Sequence, residues 1–220
     1  MNLNITNHSH FSFDLWLTLI KSNPVFKEKR NLLFRDFFEI NAPIEKVVEA
    51  VRYYDVLCNN VNEKTGRNFD TYEIYYLILN ALGVNINTIE EKLLEGFYLE
   101  SELLFMKYKP VLIYPTINSL LNVIIEQDKS INILSNTGFI KGKTLRNLME
   151  YYEVSRYFSF QIYSDEEGFS KPNKKIFQLI YNRLEGIDKK KVLHIGDNLI
   201  ADYKGATSFG FDALLIKNKF

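Results

Sequence analysis

The stretch VLHIGDNLIADYKGATSFGFDALLI, residues 192–216, contains the signals of a strand, a helix and a second strand in direct succession. The apolar run at 192–195 predicts a buried strand, 199–209 a helix, and 213–216 another strand. A strand, a helix and a strand at this spacing form a parallel pair joined by a right-handed crossover. This unit predicts an α/β protein with a parallel sheet.

The same alternation extends upstream of this unit. Residues 131–134 and 158–163 read as strands, and 11–13 adds one more strand before Asp14. Helical patterns separate the later strands, at 116–127, 141–152 and 172–184. We therefore expect a doubly wound α/β core made of residues 1–19 and 110–220.

Residues 20–109 read as helices only, about four of them, which we expect to form a helical cap inserted after the first strand. Two capping boxes are predicted inside this segment, Asp70 with Glu73 and Thr88 with Glu91. Each would mark the start of a helix. The tyrosine-rich surface of this segment could select a substrate, but packing within its own helices is the preferred interpretation.

Composition indicates an ordinary globular protein. The 220 residues are 46% hydrophobic, and 27 basic residues balance 27 acidic ones, so charge gives no reason to expect a nucleic-acid or membrane partner. A lone cysteine, Cys58, excludes a disulfide within the chain. Residues 1–10 lack the features of a signal peptide, and no apolar run reaches 18 residues. We expect a cytoplasmic protein; the oligomeric state stays open.

Chemically capable side chains follow the predicted strands. Ligands of open parallel sheets bind beyond the carboxyl ends of the strands, so residues there are the candidates for chemistry. Lys171 lies just before a predicted helix. The residues at predicted strand ends are Asp14, Ser135, Asn136, Thr137, Asp197 and Asp202.

This set suits attack of a carboxylate on a phosphorylated substrate. Asp14 can act as a nucleophile, but a phosphate dianion repels it unless a cation lies between them. Asp14, Asp197 and Asp202 are ligands that Mg²⁺ prefers, and Lys171 adds a compact positive charge. The Ser135 hydroxyl and the N–H groups that follow it, of Asn136 and Thr137, can bind phosphate oxygens.

Four segments of the chain resemble the motifs of the haloacid dehalogenase-like hydrolase superfamily. They are FDLWLTL at 13–19, LSNTG at 134–138, SKP at 170–172 and GDNLIAD at 196–202, in the family's order and spacing. The resemblance implies a Mg²⁺-dependent hydrolase that acts on a small phosphorylated metabolite. It further implies roles for individual residues: Asp14 as nucleophile and metal ligand, Lys171 as a catalytic and phosphate-binding residue, Ser135 as a phosphate ligand, and the Trp16 carbonyl, Asp197 and Asp202 as metal ligands.

Trp16 departs from the family pattern. Phosphatases that this chain resembles carry an acid two residues after the nucleophile, where it protonates the leaving group. An indole cannot do so, and general acid catalysis is worth about 10²–10⁴-fold. Three interpretations stay open: a phosphatase with a good leaving group or another proton donor, a metal-free dehalogenase, or a phosphoryl-ligand or partner-binding protein without turnover.

Three further features have ordinary structural interpretations. His194 lies within a strand and is expected to be a satisfied core histidine. Cys58 is expected to be buried and inert. The basic run at 27–30 is expected to be a solvated surface of its helix.

Overall fold

A computed structural model describes residues 6–217 of the chain. Residues 1–5 and 218–220, which belong to the predicted core and include part of the segment tested for a signal peptide, lie outside the described residues. The strands are β1 (His10–Phe13), β2 (Ile20–Lys21), β3 (Val111–Leu112), β4 (Ser130–Ser135), β5 (Phe160–Tyr163), β6 (Val192–Gly196) and β7 (Asp212–Leu215). The α-helices are α1 (Pro24–Phe37), α2 (Ile44–Thr65), α3 (Thr71–Ala81), α4 (Glu91–Lys107), α5 (Ile117–Ile125), α6 (Gly142–Tyr151), α7 (Ser164–Glu167), α8 (Lys174–Tyr181) and α9 (Gly205–Phe209).

The central sheet has five parallel strands in the order β5-β4-β1-β6-β7. Phe13 in the central strand β1 pairs with Ile133 on one side and Ile195 on the other. The three strands therefore end at nearly the same level, which brings the segments that follow them to one edge of the sheet. This architecture confirms the predicted α/β class with a parallel sheet.

The helices α1 to α4 lie between β2 and β3 in the chain. These two short strands pair antiparallel, with Ile20 opposite Leu112 and Lys21 opposite Val111. The polypeptide thus leaves the sheet and returns to it through one narrow ribbon. No helix among residues 6–217 combines the length and the apolar character needed to cross a membrane.

The start of α3 agrees with its predicted capping box. The Asp70 carboxylate accepts a hydrogen bond from the Tyr72 N–H at 2.8 Å, and the Glu73 carboxylate accepts one from the Asp70 N–H at 2.9 Å. The box satisfies N–H groups that a helix start leaves without an intrahelical partner.

The second predicted capping box, Thr88 with Glu91, is wrong. Thr88 ends a 3₁₀ turn, Ile86–Thr88, and its hydroxyl donates back to the Asn85 carbonyl at 2.8 Å. The side chain is therefore occupied in the preceding turn, and α4 begins only at Glu91. Threonine forms such local bonds readily, which is why it suits turns as well as helix starts.

Two other elements differ in extent from their predictions. The strand predicted at 158–163 is shorter, because residues Ser155–Tyr157 form a 3₁₀ turn and β5 begins at Phe160. The helix predicted at 199–209 divides into a π-helical turn, Leu199–Lys204, and α9. The π-helical turn lies directly beside the candidate site, where such irregular turns are common.

Candidate active site

Lys171 is the ionic centre of the sheet edge. Its Nζ lies 2.7 Å from Asp14 Oδ1, 2.7 Å from Asp202 Oδ1 and 2.8 Å from the Leu134 carbonyl oxygen. The residue is only 1% exposed. Burial opposes its charge, but Asp14 and Asp202 hold the pKa of Lys171 above its usual value, so the ammonium stays charged. A buried cation with two carboxylates and a carbonyl is a satisfied ionic centre.

Asp14, Asp197 and Asp202 form a compact group of carboxylates. One oxygen atom from each lies within 4.8 Å of the others. Burial, with the neighbouring Asp202, raises the pKa of Asp14 to about 7, against the opposing effect of Lys171. Burial and Asp202 also raise the pKa of Asp197 to about 6. A single ammonium therefore does not balance three acids, and the cluster favours a further cation.

Asp202 is the most firmly held of the three acids. Its Oδ1 accepts from Lys171 and from His194 Nε2 at 3.1 Å, and its Oδ2 accepts from the Asn198 N–H at 2.9 Å. Although burial opposes the shift, Lys171 and His194 hold the pKa of Asp202 below its usual range. Because both of its oxygens already have protein partners, Asp202 is better suited to hold a metal through water than directly.

His194 does more than fill the core. Burial lowers its pKa, so the ring is neutral. With Nε2–H donating to Asp202, its Nδ1 accepts from the Ser12 hydroxyl at 3.0 Å. The ring thus orients Asp202 from within the sheet. Gly196 makes the approach possible, because a Cβ atom there would lie 2.2 Å from Asp202 Cγ.

Asn136 and Ser135 follow β4. The Asn136 amide accepts from the Lys171 N–H at 2.8 Å and donates to the Lys171 carbonyl at 3.1 Å. The Ser135 hydroxyl is buried and donates to the Asn136 carbonyl at 3.1 Å. Asn136 lines the cavity with the acid cluster, whereas Ser135 lies fully buried behind it. The role of the Asn136 side chain in holding Lys171 is one that sequence analysis missed.

The Thr137 N–H, predicted to bind phosphate, has a protein partner in this structure, and its phosphate-binding role stays a prediction. That N–H donates to Ser164 Oγ at 2.8 Å, and the Thr137 hydroxyl donates to Asp165 Oδ1 at 2.9 Å. Asp165 also accepts from the Gly142 N–H at the start of α6, at 3.1 Å. Thr137 therefore belongs to a buried network that holds the loop after β4 in place.

Trp16 lies on a tight turn after the nucleophile candidate. The Leu15 carbonyl accepts from the N–H groups of Leu19 and Ile20 at 2.8 and 3.0 Å. Leu17 takes a φ of 57°, the left-handed region that bulky residues disfavour by about 1–2 kcal/mol. This turn directs the half-buried Trp16 ring toward α4, where it packs edge-on against the Phe105 ring with 6.5 Å between the ring centres. Trp16 thus forms part of the wall of the site.

A cavity of about 360 Å³ opens over the acid cluster. Asp14, Asn136, Lys171 and Asp197 line it from the sheet edge. The helices contribute Phe26, Lys27 and Arg30 from α1, and Asp55, Asn59 and Glu63 from α2. Pockets of this size accept small metabolites.

The helical residues around the cavity are not those that the sequence singled out. The tyrosine-rich group stays elsewhere: Tyr53 is exposed, Tyr75 is fully buried among aromatic rings, and Arg67 pairs with Glu73. The prediction of a solvated surface at 27–30 is confirmed for Lys27, which is exposed, and is wrong for Arg30, which is half-buried against the cavity. Glu63 also reaches across to the sheet edge, where its carboxylate accepts a hydrogen bond from the Asn198 side chain.

The site suits a hard divalent cation. The acid cluster supplies carboxylate oxygens at mutual distances that one ion could bridge. Burial, together with the charge of Asp202, raises the pKa values of Asp14 and Asp197, and a bound cation would offset both effects. Among residues 6–217 no other group of three metal-binding side chains comes together.

Comparison with known proteins agrees with this geometry. A sequence model of the haloacid dehalogenase-like hydrolases matches residues 9–210. The pyrimidine 5'-nucleotidase YjjG of Escherichia coli K12 is 35% identical over 92 residues, which cover 42% of this chain and 39% of YjjG. The match thus spans well under half the length of that relative.

Solved structures share the fold at low identity. The HAD-hydrolase YfnB from Bacillus subtilis, bound to magnesium, superposes with a TM-score of 0.70 at 18% identity, covering 96% of this chain and 89% of YfnB. A HAD phosphatase from Thermococcus onnurineus superposes with a TM-score of 0.66 at 19% identity, covering 95% of this chain and 86% of that phosphatase. Dehalogenases also match, among them the 2-haloacid dehalogenase of Pseudomonas syringae and the L-2-haloacid dehalogenase of Xanthobacter autotrophicus. At these identities the likeness concerns the fold.

Proposed function

The chain belongs to the haloacid dehalogenase-like hydrolases, and from this we propose that it is a Mg²⁺-dependent phosphatase that works through a covalent intermediate on Asp14. The observation that carries the proposal is the contact of Lys171 Nζ with both Asp14 and Asp202, at 2.7 Å each, beside Asp197. It combines a nucleophilic carboxylate with the positive charge needed to bring a phosphate dianion near it.

The reaction has two displacements at phosphorus. An Asp14 carboxylate oxygen attacks the phosphorus atom, the bond from phosphorus to the substrate oxygen breaks, and an aspartyl phosphate forms. Water then attacks the same phosphorus atom, and the bond to the Asp14 oxygen breaks. Inorganic phosphate and the free Asp14 carboxylate are the products.

Lys171 serves both steps from a fixed position. Its ammonium offsets charge on the transferring oxygens, while Asn136 fixes its backbone through two hydrogen bonds. Ser135, Asn136 and Thr137 stay the predicted phosphate-binding residues after β4. Asp14, Asp197, Asp202 and the Trp16 carbonyl would hold Mg²⁺, which would supply neutralisation of the charge on the phosphoryl group.

The leaving group must depart without a proton from position 16, because Trp16 cannot protonate it. The carboxylate of an acyl phosphate and the aryloxide of an aryl phosphate leave as weakly basic anions and need no acid. An alkyl phosphate would depart slowly. We therefore expect substrates with good leaving groups, and the pyrimidine nucleotidase activity of the partial relative YjjG supports a phosphorylated metabolite in general terms only.

The helical segment 20–109 would act as a cap over the site. Its helices α1 and α2 supply one side of the cavity, and Glu63 joins the sheet edge through Asn198. Closing a cap over the reacting groups excludes bulk water and limits substrate size. A small molecule fits this role better than a protein substrate.

Hydrolysis assays with a matched pair of conditions test the proposal. The purified chain is incubated with p-nitrophenyl phosphate, acetyl phosphate or 2-chloropropionate, each with Mg²⁺ or with EDTA, and an Asp14→Asn variant serves as the control. We expect phosphate release that needs both Mg²⁺ and Asp14, and no chloride release. Chloride release that survives EDTA would instead identify a dehalogenase. Tight Mg²⁺ binding without turnover of any substrate would identify a binding protein.

A further inference from the structure

Arg30 lines the same cavity as Asp14, but from the opposite side. It lies on α1, and α1 contributes Phe26 and Lys27 to the cavity as well. The cavity therefore has a cationic centre at the sheet edge, Lys171, and a second cationic side chain on the helical side.

Packing holds the Arg30 guanidinium in one orientation. Its carbon lies 4.4 Å from the centre of the Phe139 ring and 5.8 Å from that of Phe26. Its Nε and Nη2 both donate to Asn31 Oδ1, at 3.3 and 3.1 Å. A guanidinium has five N–H donors, so this arrangement fixes the group while leaving most of its donors for another acceptor.

Arg30 lacks a carboxylate partner of the kind that several other arginines have. Arg35, Arg67 and Arg146 form ion pairs with Asp36, Glu73 and Glu166. Within residues 6–217, no carboxylate oxygen lies within 4.0 Å of an Arg30 nitrogen. The one acid nearby, Asp55, is engaged with Arg52 at 3.5 Å and with the Asn59 amide at 3.3 Å.

Arg30 is half-buried, and this partial loss of hydration makes the lack of a partner unfavourable. Desolvation lowers the pKa of Arg30, and Asp55 only partly opposes the effect. A desolvated cation without a counterion destabilises a folded protein, yet a guanidinium stays protonated in proteins. An anion that enters the cavity would therefore bind Arg30 favourably, and the aromatic walls would strengthen the attraction.

We infer that Arg30 binds a second oxyanion of the substrate, a carboxylate or a second phosphate, at the end remote from the phosphoryl group that Asp14 attacks. The inference rests on the proposed phosphatase function and narrows it to substrates with two anionic ends. The planar guanidinium matches both kinds of oxyanion, and Lys27 also lines the cavity from α1. The two acids on the helical side, Asp55 and Glu63, are engaged with Arg52 and with the Asn198 side chain.

A matched set of aryl phosphates tests the inference. The set is 4-carboxyphenyl phosphate, 4-phosphonophenyl phosphate and the neutral 4-carbamoylphenyl phosphate, whose leaving groups need no acid. In the wild-type chain we expect kcat/KM for the better of the two anionic compounds to exceed that of the neutral one by about 10- to 100-fold, as for hydrogen bonds to charged groups. Which anionic compound is preferred distinguishes a carboxylate from a phosphate.

Variants of Arg30 separate this contact from general effects. Arg30→Gln should abolish the preference and change kcat/KM for the neutral compound by less than about 3-fold. Arg35→Gln, on the same helix but paired with Asp36, should keep the preference. If thermal denaturation shows that Arg30→Gln is unfolded, Arg30→Lys replaces it. Lysine keeps the positive charge but lacks the planar arrangement of N–H donors, so this variant should lose part of the preference for the anionic compounds.

Two results would overturn the inference: equal kcat/KM for all three compounds in the wild-type chain, or an equal loss for all three in Arg30→Gln. If no compound is hydrolysed, the proposed function fails, and calorimetry with the same three compounds in Mg²⁺ buffer tests Arg30 alone. The inference then predicts that an anionic compound binds more tightly than the neutral one, and that this difference in affinity disappears in Arg30→Gln. Identical dissociation constants would exclude it.

Discussion

Asn136 pairs with the backbone of Lys171 through both ends of its side-chain amide. The oxygen accepts the Lys171 N–H at 2.8 Å, and the nitrogen donates to the Lys171 carbonyl at 3.1 Å. The segment after β4 thus fixes the lysine before any ligand arrives. Preorganised positive charge costs little rearrangement during a reaction, which is the main advantage of such a site.

Replacing Asn136 by Asp should lower kcat while the fold survives. The carboxylate cannot donate to the Lys171 carbonyl, so the lysine backbone loses one of its two restraints. Small displacements of positioned groups cost up to about 10²-fold in rate, and we expect a loss of about 10- to 100-fold. Steady-state kinetics with p-nitrophenyl phosphate measure it, and Asn147→Asp, on an exposed position of α6, is the control. Unchanged kcat in Asn136→Asp would show that the pairing has no catalytic role.

Magnesium binding should weaken as the pH falls from 8 to 5.5. The metal needs ionised carboxylates, and protons compete for Asp14 and Asp197 because their pKa values are raised to about 7 and about 6. We expect affinity at pH 5.5 to be lower on the order of 10- to 100-fold. Calorimetry in two buffers of different ionisation enthalpy should also detect proton release near pH 6.5. A dissociation constant that does not vary between these pH values would contradict the acid cluster as the metal site.

Asp14→Asn should stabilise the metal-free protein at pH 8. The folded-state pKa of Asp14, about 7, lies above the ordinary value of 3.8, so ionisation above pH 3.8 favours the unfolded chain and the full penalty is present above pH 7. Asparagine avoids this penalty but loses the contact with Lys171. We expect a net gain of about 1–2 kcal/mol, or about 2–8 °C in Tm.

Thermal denaturation in EDTA measures this gain. The pH-dependent part of the difference should vanish only below about pH 3, under the ordinary pKa of 3.8, where the carboxyl group is largely protonated in both states. Asp36→Asn, at an exposed position of α1, should show no comparable pH-dependent gain. A wild-type chain that is more stable than Asp14→Asn at pH 8 would show that the ion pair outweighs desolvation.

Trp16→Asp should speed hydrolysis of alkyl phosphates. A carboxyl group at that position can protonate the departing alkoxide, and general acid catalysis is worth about 10²–10⁴-fold when well placed. We expect at least about 10-fold for an alkyl phosphate and little change for acetyl phosphate, whose leaving group needs no proton. Trp16→Asn is the matched control because it opens the wall equally without supplying a proton. Equal rates for the two variants would indicate that proton donation is not the bottleneck.

Local signals in the sequence were reliable where a pattern was compatible with only one or a few structures. The alternation of strands and helices predicted the parallel sheet, because a strand, a helix and a strand leave few topologies. Asp70 with Glu73 correctly predicted the start of α3, because the two side chains satisfy backbone N–H groups that only a helix start leaves open. Thr88 misled because its hydroxyl had a nearer acceptor, the Asn85 carbonyl, in a turn that has no strong signature.

Contacts between distant segments were beyond prediction from the sequence. The N–H of Thr137 is occupied by Ser164, 27 residues away, and the amide of Asn136 by Lys171, 35 residues away. Arg30 belongs to a basic run whose charge pattern is typical of a solvated surface, and only the packing of α1 against Phe139 turns it inward. The hydrophobic pattern of a helix predicts which face is buried, but it does not predict which residues of another segment lie opposite that face.

The central claim, a covalent phosphoryl intermediate on Asp14, is tested most directly by trapping it. The chain is mixed with acetyl phosphate and Mg²⁺, quenched in acid within the first turnover and reduced with borohydride, which converts an aspartyl phosphate to homoserine. Mass spectrometry of the peptide that contains residues 10–21 should find homoserine at position 14, and none in Asp14→Asn. Phosphate release without any modification at position 14, or with modification at another residue, would contradict the account.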